Sequence, residues 1–173
     1  VKKFLLSLPF ELTGDQRKVL NEIYQDVSAG KAMHRLLQGD VGSGKTVVAI
    51  ISMLMAIENG YQAAIMTPTE VLAEQHYLSL SSFLESLALE PILLTSSVKP
   101  SDRKLILEKI SSGKGRIIVG THSLIQKEVN FDKLGLAVID EQHRFGVMQR
   151  LSLKLKGKSP HLLVMTATPI PRS

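Results

Sequence analysis

The chain has 173 residues, a length that suits one domain of ordinary size. With 44% hydrophobic and 21% charged residues it can bury a substantial core, and it is not composed like a disordered chain. Its lack of cysteine excludes disulfides, thiolate zinc sites and cysteine nucleophiles, while a net charge of +5 favours polyanionic partners without specifying one.

The first residues, Val1 to Pro9, faintly resemble a signal peptide, but the apolar run is short and Glu11 follows it. The longest apolar stretch, Val47 to Ile57, is broken by Ser52 and cannot span a bilayer. No membrane association is expected, and a cytoplasmic location is. The chain does not start with methionine, and no closing element follows its last apolar run. Residues 1–173 are therefore expected to be a single domain excised from a longer chain.

Asp15 to Ser28 reads as a helix with Val19, Leu20, Ile23 and Val27 at helical spacing, stopped by Gly30. Arg35 to Gln38 is a short strand entering a glycine-rich turn. Lys45 to Glu58 is a helix apolar nearly all round, hence buried, and Asn59-Gly60 ends it. Ala63 to Met66 is a strand, and Thr69 can cap a helix running to about Glu85. Ile92 to Thr95 is a strand, and Ser101 is expected to cap a helix to Ile110. Arg116 to Val119, Leu136 to Ile139 and Leu162 to Met165 are further apolar strands. Such strands alternating with helices predict an α/β three-layer sandwich with a mostly parallel central sheet. Ligands then bind beyond the carboxyl ends of the strands. The loops after Gln38, Met66, Val119, Ile139 and Met165 should line that edge.

The segment Gly39-Asp40-Val41-Gly42-Ser43-Gly44-Lys45-Thr46 matches G-x-x-x-x-G-K-[ST] in full, between a strand and a helix. Gly39, Gly42 and Gly44 permit backbone angles closed to other residues, so the loop can turn its amides inward on a phosphate. Lys45 would reach the outer phosphates of ATP, and Thr46 would offer a hydroxyl to Mg2+. A chance glycine-rich turn is the plain alternative, and the context argues against it. The motif specifies a nucleoside triphosphate and nothing narrower.

Leu136 to Ile139 leads into Asp140-Glu141-Gln142-His143. Asp140 at a strand end suits the magnesium partner of Thr46. Glu141 suits a base or water-orienting group, which argues for hydrolysis over phosphate transfer to an acceptor. His143 is either a satisfied loop histidine or a link between nucleotide state and a nucleic-acid surface.

These stretches, in this order, resemble the first motor domain of superfamily 2 helicases, and most closely that of the RecG-type ATP-dependent DNA helicases. The resemblance rests on Leu8 to Thr13 with Gln16, Leu36 to Thr46, Thr67 to His76, Val119 to Gln126, Ile139 to Val147 and Met165 to Arg172. It implies a P-loop NTPase domain of the RecA-like type. It implies that Gln16 reads the adenine edge with Phe10 near the base. It also implies that Thr67, Pro68, Thr69 and Glu70, with Gly120 and Thr121, contact the nucleic-acid backbone, and that Thr166 and Thr168 couple ATP state to that contact. Exposed hydroxyls and helix N-terminal amides would serve as phosphate donors. The partners implied are branched or forked DNA and a second motor domain of the same full-length chain. That domain and a fork-recognition domain are not within the sequence, so the isolated chain is expected to be nearly inactive. Transcription-repair coupling factors share the His-Arg-Phe-Gly tail and form one alternative; a non-catalytic nucleotide-controlled binding module forms another. Arg144, Arg150, Lys154, Lys156 and Lys158 form a basic run that reads either as a solvated face or as a phosphate-tracking surface.

Overall fold

The structure, a computed structural model, describes residues 1–140 and 146–167. Its strands are β1 (His34–Gln38), β2 (Gln62–Met66), β3 (Ile92–Leu94), β4 (Ile117–Gly120), β5 (Leu134–Asp140) and β6 (His161–Thr166). They form one sheet in the order β1-β6-β5-β2-β4-β3, with every pairing parallel. The helices are α1 (Lys2–Ser7), α2 (Gly14–Ser28), α3 (Lys45–Glu58), α4 (Glu70–Leu84), α5 (Pro100–Ser111) and α6 (Val147–Lys154).

Alternation along the strands builds two cores. Ala63, Ile65, Val138 and Leu163 face α1 to α4, where they meet Phe4, Ile23, Ile50 and Leu80. Ala64, Met66, Ile139 and Val164 face the opposite layer, where they meet Ile110 of α5, Leu124 and Leu153 of α6. Both faces of the sheet are therefore covered, which is why its strands read as unbroken apolar runs. Every residue of α3 from Val47 to Leu54 is buried. The polar exception, Ser52, returns its hydroxyl to the Val48 carbonyl at 2.8 Å. Among the described residues no helix is long and apolar enough to cross a membrane.

The expected three-layer sandwich is the observed one, and α3 spans the expected residues. Three features differ from expectation. Ser101 does not cap α5: the helix starts at Pro100, the residue before it is Lys99, and no side chain caps it. Proline suits that place because its fixed φ is helical and its missing N–H would have had no partner there. The segment resembling a signal peptide is α1, whose Phe4 is fully buried and meets Phe83 edge-on at 6.2 Å between ring centroids. Helix α6 and a 3-10 turn at His122–Ile125 were not anticipated.

Candidate nucleotide site and nucleic-acid edge

The phosphate loop leaves the carboxyl end of β1 and runs into α3. Gly42 and Gly44 take φ of 81° and 82°, the left-handed region that glycine enters without steric cost. Gly39 serves differently from expectation. Its φ is not positive; instead a Cβ there would lie 2.6 Å from Ser43 Oγ, so the residue supplies room rather than an unusual angle. The Lys45 ammonium curls over the loop and donates to the carbonyl oxygens of Gly39 at 2.5 Å and Asp40 at 2.8 Å. Val41, at the tip, is 91% exposed. Thr46 is half-buried in the first turn of α3. Small residues where a side chain would obstruct, a helix N-terminus and a lysine over the loop together fit a polyphosphate.

Gln16 lies beside this loop. Thr13 and Gln16 form a capping box at the start of α2: the Thr13 N–H donates to Gln16 Oε1 at 2.9 Å, and the Gln16 N–H to Thr13 Oγ1 at 3.2 Å. The Gln16 amide nitrogen then donates to the Ser43 carbonyl at 3.4 Å. Phe10 is 44% exposed.

Asp140 ends β5 on the sheet face shared with α3 and α4. Its Oδ2 lies 2.6 Å from Nε2 of His76 in α4, and the two side chains are only 14% and 12% exposed. In the sequence His76 only closes the stretch from Thr67 and carries no assigned role. Glu141, His143 and Thr168 lie outside the described residues. Magnesium is commonly held by one or two protein oxygens together with phosphates and water. The hydroxyl of Thr46 and the carboxylate of Asp140 are oxygen donors of the kind it takes. Thr166 is buried at the end of β6, and its carbonyl accepts from Gly39 N at 3.3 Å.

The far half of the edge carries the residues expected to meet nucleic acid. Thr67 and Thr121 are 0% and 2% exposed, so their hydroxyls are not the exposed donors expected. Both are used internally: Thr67 Oγ1 donates to the Thr69 carbonyl at 3.0 Å, and Thr121 Oγ1 donates to Ser123 Oγ at 3.4 Å. Gly120 is also buried, because β3 passes so close that a Cβ would lie 2.3 Å from the Leu94 carbonyl. Pro68 is half-buried. Thr69 is exposed and accepts from Leu72 N at 3.3 Å, which caps α4. Glu70, expected to meet the backbone with the rest of its loop, is turned to its neighbours: it accepts from the Ser96 hydroxyl at 2.5 Å and the Ser97 hydroxyl at 2.7 Å. Those bonds hold its carboxyl below the usual range.

Two members of the basic run are turned inward. Lys156 donates to the carbonyls of Gln126 at 2.5 Å and Val129 at 2.7 Å, and burial lowers its pKa. Arg150 Nε is buried with no hydrogen-bond partner among the described residues. Lys158 is exposed, and Arg144 lies outside the described residues.

An all-parallel sheet with a phosphate loop after its edge strand, and an aspartate ending a central strand, defines a RecA-like P-loop nucleotide-binding domain. The DEAD/DEAH box helicase family model matches residues 13–173. The chain belongs to the DEAD/DEAH box helicase family. It is similar to the ATP-dependent DNA helicase RecG of Synechocystis, at 57% identity over 173 residues, which are 100% of this chain and 21% of that protein. It is likewise 57% identical over 171 residues to the ATP-dependent DNA helicase RecG of Bacillus subtilis, covering 99% of this chain and 25% of that protein. A solved structure of RecG bound to a three-way DNA junction superimposes with a TM-score of 0.87 at 45% identity, over 98% of this chain and 23% of that one. The helicase MrfA bound to DNA and AMPPNP, at 18% identity and a TM-score of 0.73, shares the fold. The chain thus spans about a quarter of the length of these relatives.

Proposed function

We propose that this chain is the ATP-binding motor domain, residues 1–173, of an ATP-dependent DNA helicase or translocase that remodels branched or forked DNA in recombination and repair of stalled forks. The reading places it in the cytoplasm, paired with a second motor domain of the same full-length chain. The observation that carries it is the phosphate loop rooted against β6, with Lys45 over the loop and Asp140 ending β5, in a chain so similar to RecG along its whole length. The intact Lys45, Thr46, Asp140 and Glu141 argue against a non-catalytic module.

The loop amides and Lys45 would bind the phosphates, and Gln16 would turn from Ser43 toward the adenine edge. Magnesium, when bound, neutralises phosphate charge and polarises the bond to be broken. Thr46 and Asp140 would hold it. Glu141 would orient the attacking water. Buried Thr166 would carry loop movement into β6, with Thr168 beyond it. On the far edge, Pro68 and Thr69 at the start of α4 and the loop at Gly120 and Thr121 would meet the nucleic-acid backbone. Two of these hydroxyls are internal and the Thr67 N–H already donates to the Gly120 carbonyl at 2.9 Å, so contact would fall to exposed Thr69 and to main-chain N–H groups at the start of α4. His143 would link the two halves. An arginine supplied by the second motor domain is worth about 10³–10⁵ in rate in P-loop enzymes, so the isolated chain should turn over slowly.

The test is ATP hydrolysis by the full-length protein without nucleic acid and with single-stranded DNA, forked DNA or RNA, using Lys45→Ala as blank. Strong stimulation by forked DNA, lost in the Lys45 variant, supports the reading. Turnover indifferent to every DNA removes it, and stimulation by RNA alone moves the chain to a different helicase class.

A further inference from the structure

The contact between His76 and Asp140 joins two elements with separate expected duties. Helix α4 is fixed at its first turn to the outer edge: Thr69 caps it, and Glu70 is bound by Ser96 and Ser97 beyond β3. Six residues after Glu70, about 9 Å along the helix axis, His76 meets the carboxylate that ends β5. An ionised carboxylate only accepts, so Nε2 must be the nitrogen that carries the hydrogen. The bond takes Oδ2 and leaves the carboxylate its second oxygen for a cation or a water.

Packing does not require a polar pair at this place. The buried side of α4 is carried by Ala73, Leu80 and Leu84, and a shielded polar pair can often be replaced as a whole by apolar side chains with no loss of stability. What the pair supplies is direction: it fixes which way Asp140 points and ties that to the position of α4.

We propose that His76 is a positioning residue that orients Asp140 for magnesium and makes that orientation depend on α4, so that nucleic acid gripping the start of the helix alters the nucleotide site. This rests on the motor reading above. Displacing α4 pulls the imidazole with it, and the carboxylate either follows or loses its partner.

The experiment uses the full-length protein with His76→Leu, which removes the donor, and His76→Gln, whose amide nitrogen can replace Nε2. Two ratios are read: the gain in affinity for a fluorescent ADP analogue on adding magnesium, and turnover with forked DNA relative to turnover without. His76→Leu should lower both ratios by about tenfold or more, the range seen when a group orienting a metal ligand is lost. Its melting temperature should fall, because the shielded Asp140 carboxylate loses its partner, and both ratios are read well below that temperature. His76→Gln should recover most of each ratio. An unchanged magnesium gain in His76→Leu overturns the proposal. So does an unchanged DNA ratio, or a failure of glutamine to restore what leucine removes. If His76→Leu does not fold, the glutamine variant decides: both ratios near wild type support the proposal, and a tenfold fall in either overturns it. A wild-type protein indifferent to DNA would sink the motor reading instead, and the magnesium gain would still decide whether His76 orients Asp140.

Discussion

The backbone N–H of Gly39 donates to the carbonyl oxygen of Thr166 at 3.3 Å. This bond continues the β1–β6 ladder, in which Gln38 is the partner of Thr166, by one step into the phosphate loop. The loop is therefore anchored on one side to the end of β6. On its other side the Gln16 amide reaches the Ser43 carbonyl. A loop held from both sides is preorganised for phosphate, and a change in its shape reaches both neighbours.

That arrangement makes Gly44 sensitive for two reasons. Its φ of 82° strains any other residue, at about 1–2 kcal/mol, and a Cβ there would sit 2.0 Å from the Gln16 amide nitrogen. Gly44→Ala should weaken nucleotide binding by about tenfold or more. Adding Gln16→Ala relieves the collision but neither the angle nor the loss of the adenine contact proposed for Gln16, so the double variant should remain weak, and Gln16→Ala alone sets the size of that second loss. Equilibrium titration of a fluorescent nucleotide into the full-length protein checks this. Full recovery in the double variant would assign the defect to the collision alone.

Gln62 begins β2 with its side chain buried, yet both its amide donors and its oxygen are bonded to neighbouring main chain. Its amide donates to the carbonyls of Ile110 at 2.9 Å and Gly115 at 2.6 Å, and its oxygen accepts from Lys133 N at 3.0 Å. It ties the end of α5 to the starts of β4 and β5. Gln62→Leu keeps the approximate volume and strands the Gly115 carbonyl and the Lys133 N–H, while the Ile110 carbonyl still accepts from Gly113 N at 3.2 Å. Each stranded group costs about 1–3 kcal/mol, reduced where water can enter, so a loss of about 2–4 kcal/mol is expected. Urea unfolding of wild type and variant measures it, and a loss below about 1 kcal/mol would show that water replaces the amide.

His161 makes stability depend on pH. The Met33 N–H donates to its Nδ1 at 2.9 Å, which requires that nitrogen to be unprotonated. Burial holds its pKa below the ordinary 6.5, against the opposing pull of Asp26. The unfolded chain therefore takes up the proton first as pH falls. The contribution of His161 is complete above about 6.5 and is lost progressively below it. Urea midpoints at about pH 7.5 and about pH 5.5 should differ. His161→Asn, whose carbonyl can accept from Met33 without titrating, should show a smaller difference. An equal difference in the variant would assign the pH dependence to other groups.

Local patterns made much of this molecule readable in advance. Lys45–Glu58 is marked by the phosphate motif before it and Asn59-Gly60 after it, and the strands are marked by apolar runs with polar ends. The internal use of Thr67 and Thr121 could not be read, because exposure at a strand end depends on the turn that follows. His76 and Asp140 lie 64 positions apart, and no local spacing joins them. Helix α1 was hidden because its one fully buried residue, Phe4, is covered by α4 and its neighbours rather than by a periodic face of its own.

Lys156 shows how charge in a sequence can mislead about surface. It belongs to the basic run, yet its ammonium is committed to the carbonyls of Gln126 and Val129. Burial lowers its pKa, which sets it apart from a freely solvated lysine. The group fastens the segment after α6 to the turn that follows the 3-10 turn at His122–Ile125. Lys156→Met should therefore lower stability by about 1 kcal/mol, since two charge-assisted bonds are lost from a site that solvent still partly screens. It should leave the dependence of DNA affinity on salt unchanged. Exposed Lys158 has no such commitment, and if the face does track phosphates, Lys158→Glu should reduce that salt slope by about one unit or more. Fluorescence anisotropy of labelled forked DNA across a salt series, beside urea unfolding of each variant, separates the two roles. A reduced salt slope in Lys156→Met would mean that its ammonium leaves the two carbonyls to meet a phosphate when DNA arrives.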